Sequence, residues 1–288
     1  MFTVLFSTPK SVHPGRKRSL PNSAQGPTFR TIVFTLALLA AGAVTTRAEE
    51  PQSAKDAYQS YIATLETRLV AQNAAANNFL WLDQETERRD AARSGSVPVQ
   101  QIDTPQIPGG TIEHWIGGAF LPGATIAQVL KIDQDYAHYT TYYAPEIQQS
   151  RIISHDGNHY QVFYRLKKHK IVTVVLDTVH DIDFMSLGTD RYFIRSRSKQ
   201  VREVRNPGEA DEEVLPEGEG LGFLWAMNSY WRVQQRDGGV YIECEVITLA
   251  RAIPFGMGAL VRSTIQSFAS ESLVNTLKEK QRAVLALH

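Results

Sequence analysis

Residues 224–251, LWAMNSYWRVQQRDGGVYIECEVITLAR, hold two alternating stretches joined by a tight turn. Successive side chains of an extended chain point to opposite faces. Leu224–Gln235 therefore places Trp225, Met227, Ser229, Trp231 and Val233 on one side. Arg236-Asp237-Gly238-Gly239 offers the positive φ that a short hairpin turn needs. Val240–Arg251 alternates again, with Val240, Ile242, Cys244 and Val246 sharing a face. Ile253-Pro254 and the glycines at 256 and 258 break the pattern, and Ala259–Leu287 has helical spacing. A curved antiparallel sheet closed by one long C-terminal helix is a container, so ligand binding is the leading expectation.

Upstream of this hairpin the chain is also strand-like as far back as Glu146. Ile147–Ser154, His159–Lys168, Ile171–Asp183 and Arg191–Val204 are successive strands, with turns at Asp156-Gly157-Asn158 and Lys168-His169-Lys170. Asn206–Gly220 is an acidic loop containing proline and glycine. Before Glu146 the period is helical over Thr125–Ala144, two short helices rich in tyrosine, and Thr111–Phe120 is a strand carrying His114 and Trp115. Gly95–Gly110, broken by Pro98, Pro105 and Pro108, is a linker or edge strand. Ser53–Arg93 is helical, with Tyr58, Ile62, Leu65, Leu69 and Val70 at three- and four-residue intervals and an apolar cluster at Phe79–Leu82. Strands followed by a segregated helix predict an α+β architecture with the helix packed across one sheet face.

The first 48 residues stand apart. They hold Lys10, Arg16, Lys17, Arg18 and Arg30, no acidic residue, and the apolar run Ile32–Val44 before Thr46-Arg47-Ala48. This pattern predicts an export signal cleaved near Ala48, with a periplasmic or secreted destination. The alternative, a membrane anchor, needs about twenty apolar residues to span a bilayer, more than this run supplies. The chain balances 30 basic against 30 acidic residues, and six of the basic ones lie before residue 49. The remainder thus carries 24 against 30, a net charge near −6 that argues against nucleic acid as partner. The single cysteine, Cys244, leaves no internal disulfide, and its place on an apolar strand face reads as a small buried hydrophobe.

Several segments taken together resemble the helix-grip superfamily of START-like and polyketide-cyclase-like (SRPBCC) proteins, in a bacterial exported form. They are Phe120-Leu121-Pro122-Gly123-Ala124 leading into Val129-Leu130, Asp135-Tyr136, and Tyr143-Ala144-Pro145-Glu146. Asn228-Ser229-Tyr230-Trp231-Arg232, Asp237-Gly238-Gly239-Val240-Tyr241 and Ile253-Pro254 complete the set. The resemblance covers roughly residues 111–280. The chain then divides into an export signal over 1–48, a helical extension and linker over 49–110 that falls outside the resemblance, and a helix-grip domain over 111–288. The resemblance implies that the concave sheet face under the long helix encloses a hydrophobic molecule such as a lipid, quinone or polyketide. The lining expected from strand parity is Tyr160, Val162, Tyr164, Trp225, Met227, Trp231, Ile242 and Val246. The loop around Ile253–Gly258 would gate it, since glycines beside a helix start permit local movement.

Three further readings remain beside this one. Cyclase-type relatives use a polar cavity residue for proton transfer, and His114 is the candidate if it points inward. Glu243 and Glu245, opposite Ile242 and Cys244, are expected to face solvent. An interaction protein with a filled core would instead use the Ser53–Arg93 helices as its partner surface. Arg191, Arg195, Arg197, Lys199 and Arg205 form either a solvated outer face balanced by the acidic loop or a transient contact for anionic lipid headgroups. The histidines lack metal-ligand geometry, Gly218-Glu219-Gly220-Leu221-Gly222 fits no nucleotide fingerprint, and no cofactor is expected.

Overall fold

The computed structural model describes residues 50–75, 77–169, 173–252 and 258–287, with backbone alone over 258–269. The expected export signal (1–48), the turn residues Lys170 and Ile171, and positions 253–257 of the expected gate lie outside the described residues. Helix α1 (Gln52–Ala74), a 3-10 turn (Trp81–Gln84) and helix α2 (Thr86–Arg93) come first. Strands β1 (Val99–Ile102) and β2 (Gly110–Pro122), helix α3 (Ile126–Gln134) and the single turn α4 (Tyr139–Tyr142) follow. Then come β3 (Ile147–Asp156), β4 (His159–His169), β5 (Thr173–Ser186), β6 (Arg191–Arg205), the short β7 (Glu213–Val214), β8 (Ala226–Arg236), β9 (Gly239–Arg251) and helix α5 (Gly258–Leu285). The strands form one open, curved antiparallel sheet in the order β1-β2-β9-β8-β6-β5-β4-β3, with β7 added to β6. With α5 across its concave side this is the α+β helix-grip arrangement expected from the sequence. The β8–β9 hairpin turns where Asp237 and Gly238 both adopt positive φ.

Register sorts the side chains. On the concave side β2 and β9 pair Gly117 with Cys244, Ala119 with Ile242 and Leu121 with Val240. Leu273, Leu277 and Val284 of α5, together with Ile126, Val129 and Ile132 of α3, cover this patch as one buried cluster. A Cβ at Gly117 would sit 3.2 Å from Leu273 and 2.7 Å from Val99, so glycine there lets both α5 and β1 close onto β2. A capping box between Thr125 and Gln128 starts α3 at the point where the chain leaves β2.

The outer face is covered as well. Ala54, Tyr58, Ile62, Leu65 and Leu69 of α1 are buried against Ile112, Phe193, Tyr230, Ile247 and Leu249. Phe79–Leu82 and Ala92 continue the cover over Ile116, Phe120 and Tyr241. The N-terminal helices therefore spend their apolar face on this chain's own sheet, which removes them as a ready partner surface. Val70, expected on the same stripe, points outward at 71% exposure, because helical geometry takes position 70 off the line through 58, 62, 65 and 69.

Leu69 and its neighbour give a direct check on this cover. Leu69→Ala should lower unfolding free energy by about 2–5 kcal/mol, the usual cost of a truncated buried leucine. Val70→Ala should stay within about 0.5 kcal/mol, as a surface change does. Denaturant unfolding of both variants measures the contrast, and equal effects would mean α1 is not docked as described.

Candidate functional site

The concave side away from α5's C-terminal half is an aromatic wall. β4 contributes Tyr160, Val162 and Tyr164, β5 contributes Ile182 and Phe184, and β6 contributes Ile194, all buried in one cluster with Tyr136. The tyrosines of the α3–α4 segment close onto it. Tyr136 lies 5.5 Å from Tyr160 between ring centroids, and Tyr139 stacks on Tyr164 at 5.9 Å. Burial raises the hydroxyls of Tyr139, Tyr143 and Tyr164 far above the ordinary tyrosine range, so they act as neutral groups.

The expected lining divides in three. Tyr160, Val162 and Tyr164 belong to the aromatic wall, with Trp231 packed at its edge. Ile242 and Val246 belong to the neighbouring patch under α5. Met227 is half-buried on β8, its backbone N–H donating to Ser198 Oγ at 2.9 Å. Trp225 is a correction, for it is buried beneath α1 with Tyr58 and Leu249 on the opposite side of the sheet. Strand β8 begins only at Ala226, so the alternation used to place Trp225 does not extend to it.

Three polar groups share the concave interior. Lys280 of α5 bonds Asp133 of α3 at 2.6 Å, and its ammonium lies 3.5 Å from the Trp231 ring centroid. Burial pushes the Asp133 carboxyl up, with Lys280 opposing, and its Oδ2 has no hydrogen-bond partner among the described residues. His180 of β5 pairs across from Val162, which places it on this side. Its Nδ1 lies 3.2 Å from Ser196 Oγ, and burial pushes the imidazole down to about 4. Cys244 is buried and its thiol is pushed up by burial, which makes it inert. Sequence reasoning missed Asp133 and Lys280, although each interrupts an apolar helical stripe: Ile126, Val129, Ile132 in one case and Leu273, Leu277, Val284 in the other. His180 carries no comparable signal, since strand alternation places it on the concave side without showing that one ring nitrogen is left unpaired there.

On the outer face the expectations for charged residues change most. Glu243 and Glu245 do lie opposite Ile242 and Cys244, yet they are buried, because α1 roofs them. Arg232, wholly buried, bonds Glu243 at 2.5 Å and Glu245 and Gln72 each at 3.0 Å. Glu243 also accepts from the Leu82 backbone N–H at 3.1 Å. His114 points to this face, its Nε2 2.8 Å from Glu245 and its Nδ1 2.7 Å from the Tyr61 hydroxyl. It is thus a structural linker between α1 and the sheet, and not the inward proton-transfer group. Arg68 of α1 also pairs with Glu245. Burial works against the Glu245 carboxylate, but the His114 hydrogen bond and the Arg232 and Arg68 charges hold it down at about 2. Glu243, sharing Arg232 and having fewer donors, is pushed up by burial.

The basic strand is likewise engaged. Arg197 makes a two-pronged contact with Glu66 of α1, which also accepts from the Tyr230 hydroxyl at 2.7 Å. Arg195 pairs with Asp183 at 2.8 Å, Arg205 pairs with Glu213, Lys199 lies 3.8 Å from Asp181, and Arg191 donates to the Ala75 carbonyl. Arg195, Arg197, Lys199 and Arg205 are thus ion-paired, Arg205 alone by the acidic loop expected to balance the strand. Two open grooves flank α1 here, of about 440 and 320 Å³. The larger is lined by charged side chains such as Glu66, Arg197 and Lys199 together with Tyr58, Ile62 and Trp225, a mixed charged and apolar lining. Among the described residues no group of histidine, cysteine and carboxylate side chains could hold a metal ion.

No family model and no curated protein matches this chain. Similar solved structures include a STAR-related lipid transfer protein fragment from Xanthomonas axonopodis, 13% identical, covering 65% of this chain and 97% of that one at a TM-score of 0.41. The Zhui aromatase/cyclase from Streptomyces sp. R1128 is 12% identical, covering 61% and 93%, at 0.42. A START superfamily protein from Mycobacterium smegmatis is 11% identical, covering 62% and 99%, at 0.37. At these TM-scores the fold rests on this chain's own topology, and nothing about ligand or activity follows from the likeness.

The buried charges predict two outcomes. Arg232→Met leaves Glu243 and Glu245 without their shared cation and should cost about 3–5 kcal/mol in denaturant unfolding. A cost under about 1 kcal/mol would show that the charges are hydrated. The second outcome concerns His180. Its folded-state pKa of about 4 lies below the ordinary 6.5, so the neutral ring is favoured by folding. That contribution is complete above pH 6.5 and is lost as pH falls toward 4, by on the order of 3 kcal/mol for a shift of this size. The stability difference between wild type and His180→Leu should therefore change across this window and be constant above it.

Proposed function

We propose that the chain is exported after cleavage near Ala48 and holds a hydrophobic small molecule non-covalently between the concave sheet face and helix α5. The observation that carries this reading is the unequal treatment of the two sheet faces. The outer face is locked beneath α1 by ion pairs, whereas the concave face presents Tyr160, Val162, Tyr164, Phe184, Ile194 and Trp231 to the α3–α4 tyrosines. A mostly apolar, aromatic wall with a few polar groups is the usual composition of a small-molecule site. Affinity would come from apolar burial at roughly 25 cal/mol per Å², less the costs of association.

A second reading uses the same chamber. Asp133 and His180 are buried groups with displaced ionisation, Lys280 is the buried partner of Asp133, and such groups can transfer protons in cyclase-type chemistry. It requires that one of them be indispensable to turnover, whereas a carrier loses affinity by degrees.

The test is to purify the exported protein from its host without detergent, compare native and denatured masses, and identify any molecule in an organic extract. A stoichiometric hydrophobic molecule is expected, on a chain beginning at Glu49. Tyr164→Ala should weaken its retention several-fold without abolishing it, as one lost aromatic contact does. A protein that arrives empty and binds no fluorescent lipid probe would overturn the proposal.

A further inference from the structure

The His180 side chain is one of several buried groups among the described residues with an unpartnered polar atom, as are Asp133, Trp225 and Arg232. It is 2% exposed, on the concave side of β5. The ring edge meets Tyr164, centroids 5.5 Å apart, and Nδ1 is turned to Ser196 on the adjacent strand. Nε2, the nitrogen farther from the backbone, is buried with no hydrogen-bond partner among the described residues. Asp133 Oδ2 is another orphan on this side, and Asp133 acts electrostatically on the hydroxyl of Tyr164, whose ring packs against His180. Buried nitrogens and oxygens are rarely left unpaired, because doing so costs folding free energy with no return. Where they persist, they commonly serve an occupant that completes them.

The charge balance of this side narrows what that occupant is. Its ammonium groups are already matched, Lys280 by Asp133 and Lys168 by Glu146. The guanidinium groups of Arg195, Arg197 and Arg232 belong to the outer face, where each holds a carboxylate. The described concave residues thus offer hydrogen bonds and no spare positive charge. An anionic headgroup entering here would be stripped of water without a counter-ion, which is a heavy penalty. A hydroxyl or carbonyl fits, because Nε2 donates or accepts according to which nitrogen of the ring carries the proton.

We infer that the concave chamber takes a neutral amphiphile whose hydroxyl or carbonyl group bonds His180 Nε2, and discriminates against phosphate- and carboxylate-bearing lipids. The inference rests on the ligand-chamber reading above and names its ligand class. In it His180 is a specificity residue, Ser196 orients it, and Tyr164 holds the ring in plane.

The experiment titrates the full exported chain with three fluorescent probes. One is diphenylhexatriene, a pure hydrocarbon. The others are a labelled diacylglycerol and a labelled phosphatidylglycerol with the same acyl chains, which differ by the charged phosphoglycerol headgroup. Wild type should bind the diacylglycerol at least about tenfold more tightly than the phosphatidylglycerol, the scale of an unpaired buried polar or charged group. His180→Leu should lose about tenfold toward diacylglycerol, hold diphenylhexatriene within about twofold, and melt no lower than wild type at pH 7.5, since it removes an orphan. His180→Gln, whose amide reaches the Nε2 position, should recover most of the loss. Equal binding of the charged and neutral lipids overturns the inference, and that comparison needs only the wild-type chain. So does a His180→Leu variant that weakens all probes alike, or none. Failure of wild type to bind even diphenylhexatriene removes the chamber itself, and the inference with it.

Discussion

The buried guanidinium of Arg232 is the constraint on which the rest of the structure depends. It stands on the outer face of the sheet between Glu243 and Glu245, with no exposure of its own. Ions removed from water cost several kcal/mol each unless geometry and hydrogen bonds compensate. Here part of the compensation comes from the sheet, through His114, and part from the N-terminal segment, through Gln72, Arg68 and the Leu82 backbone. The segment also brings Leu65 and Leu69 over the same strands. Apolar burial and charge compensation therefore require the same docking of α1, and neither face of that bargain is complete without it.

That seal gives the two sides of the sheet different duties. The outer side is covered by α1 and largely ion-paired, including the arginines of β6, with open grooves beside the helix. The concave side carries the aromatic wall, the paired Asp133 and Lys280, and the unpaired edge of His180. Unpartnered polar atoms remain on both sides, Arg232 Nε and Trp225 Nε1 on the outer one and His180 Nε2 and Asp133 Oδ2 on the concave one. The α3–α4 tyrosines and α5 cover the concave side, while α1 takes no part in it.

Much of this was legible in the sequence because strand parity and turn chemistry are local properties. The β8–β9 hairpin, the four strands after Glu146, the tyrosine-rich α3–α4 segment and the long C-terminal helix all follow from them. So does the membership of Tyr160, Val162 and Tyr164 in one wall. Parity also put Glu243 and Glu245 on the correct face, but whether a face meets water is decided by what covers it. The cover lies more than 160 positions earlier in the chain, and no local pattern reports that. His114 was misjudged for the same reason, its partners being Tyr61 and Glu245. Trp225 was misplaced because alternation was extended one residue beyond the strand. Asp133 and Lys280 did leave a trace, as charged residues interrupting apolar helical stripes, but only their meeting at 2.6 Å gives the trace meaning.

Native-state hydrogen exchange on the purified protein tests the central claim most directly. If α1 is a permanent part of the outer face, its amides around Ile62–Leu69 open only with the sheet and share the opening free energy of β8 and β9. Exchange of α1 through a separate, lower-energy opening while β8 and β9 stay protected would contradict the account. It would mean that Arg232, Glu243 and Glu245 tolerate exposure to water, and that the outer face, too, is available for binding.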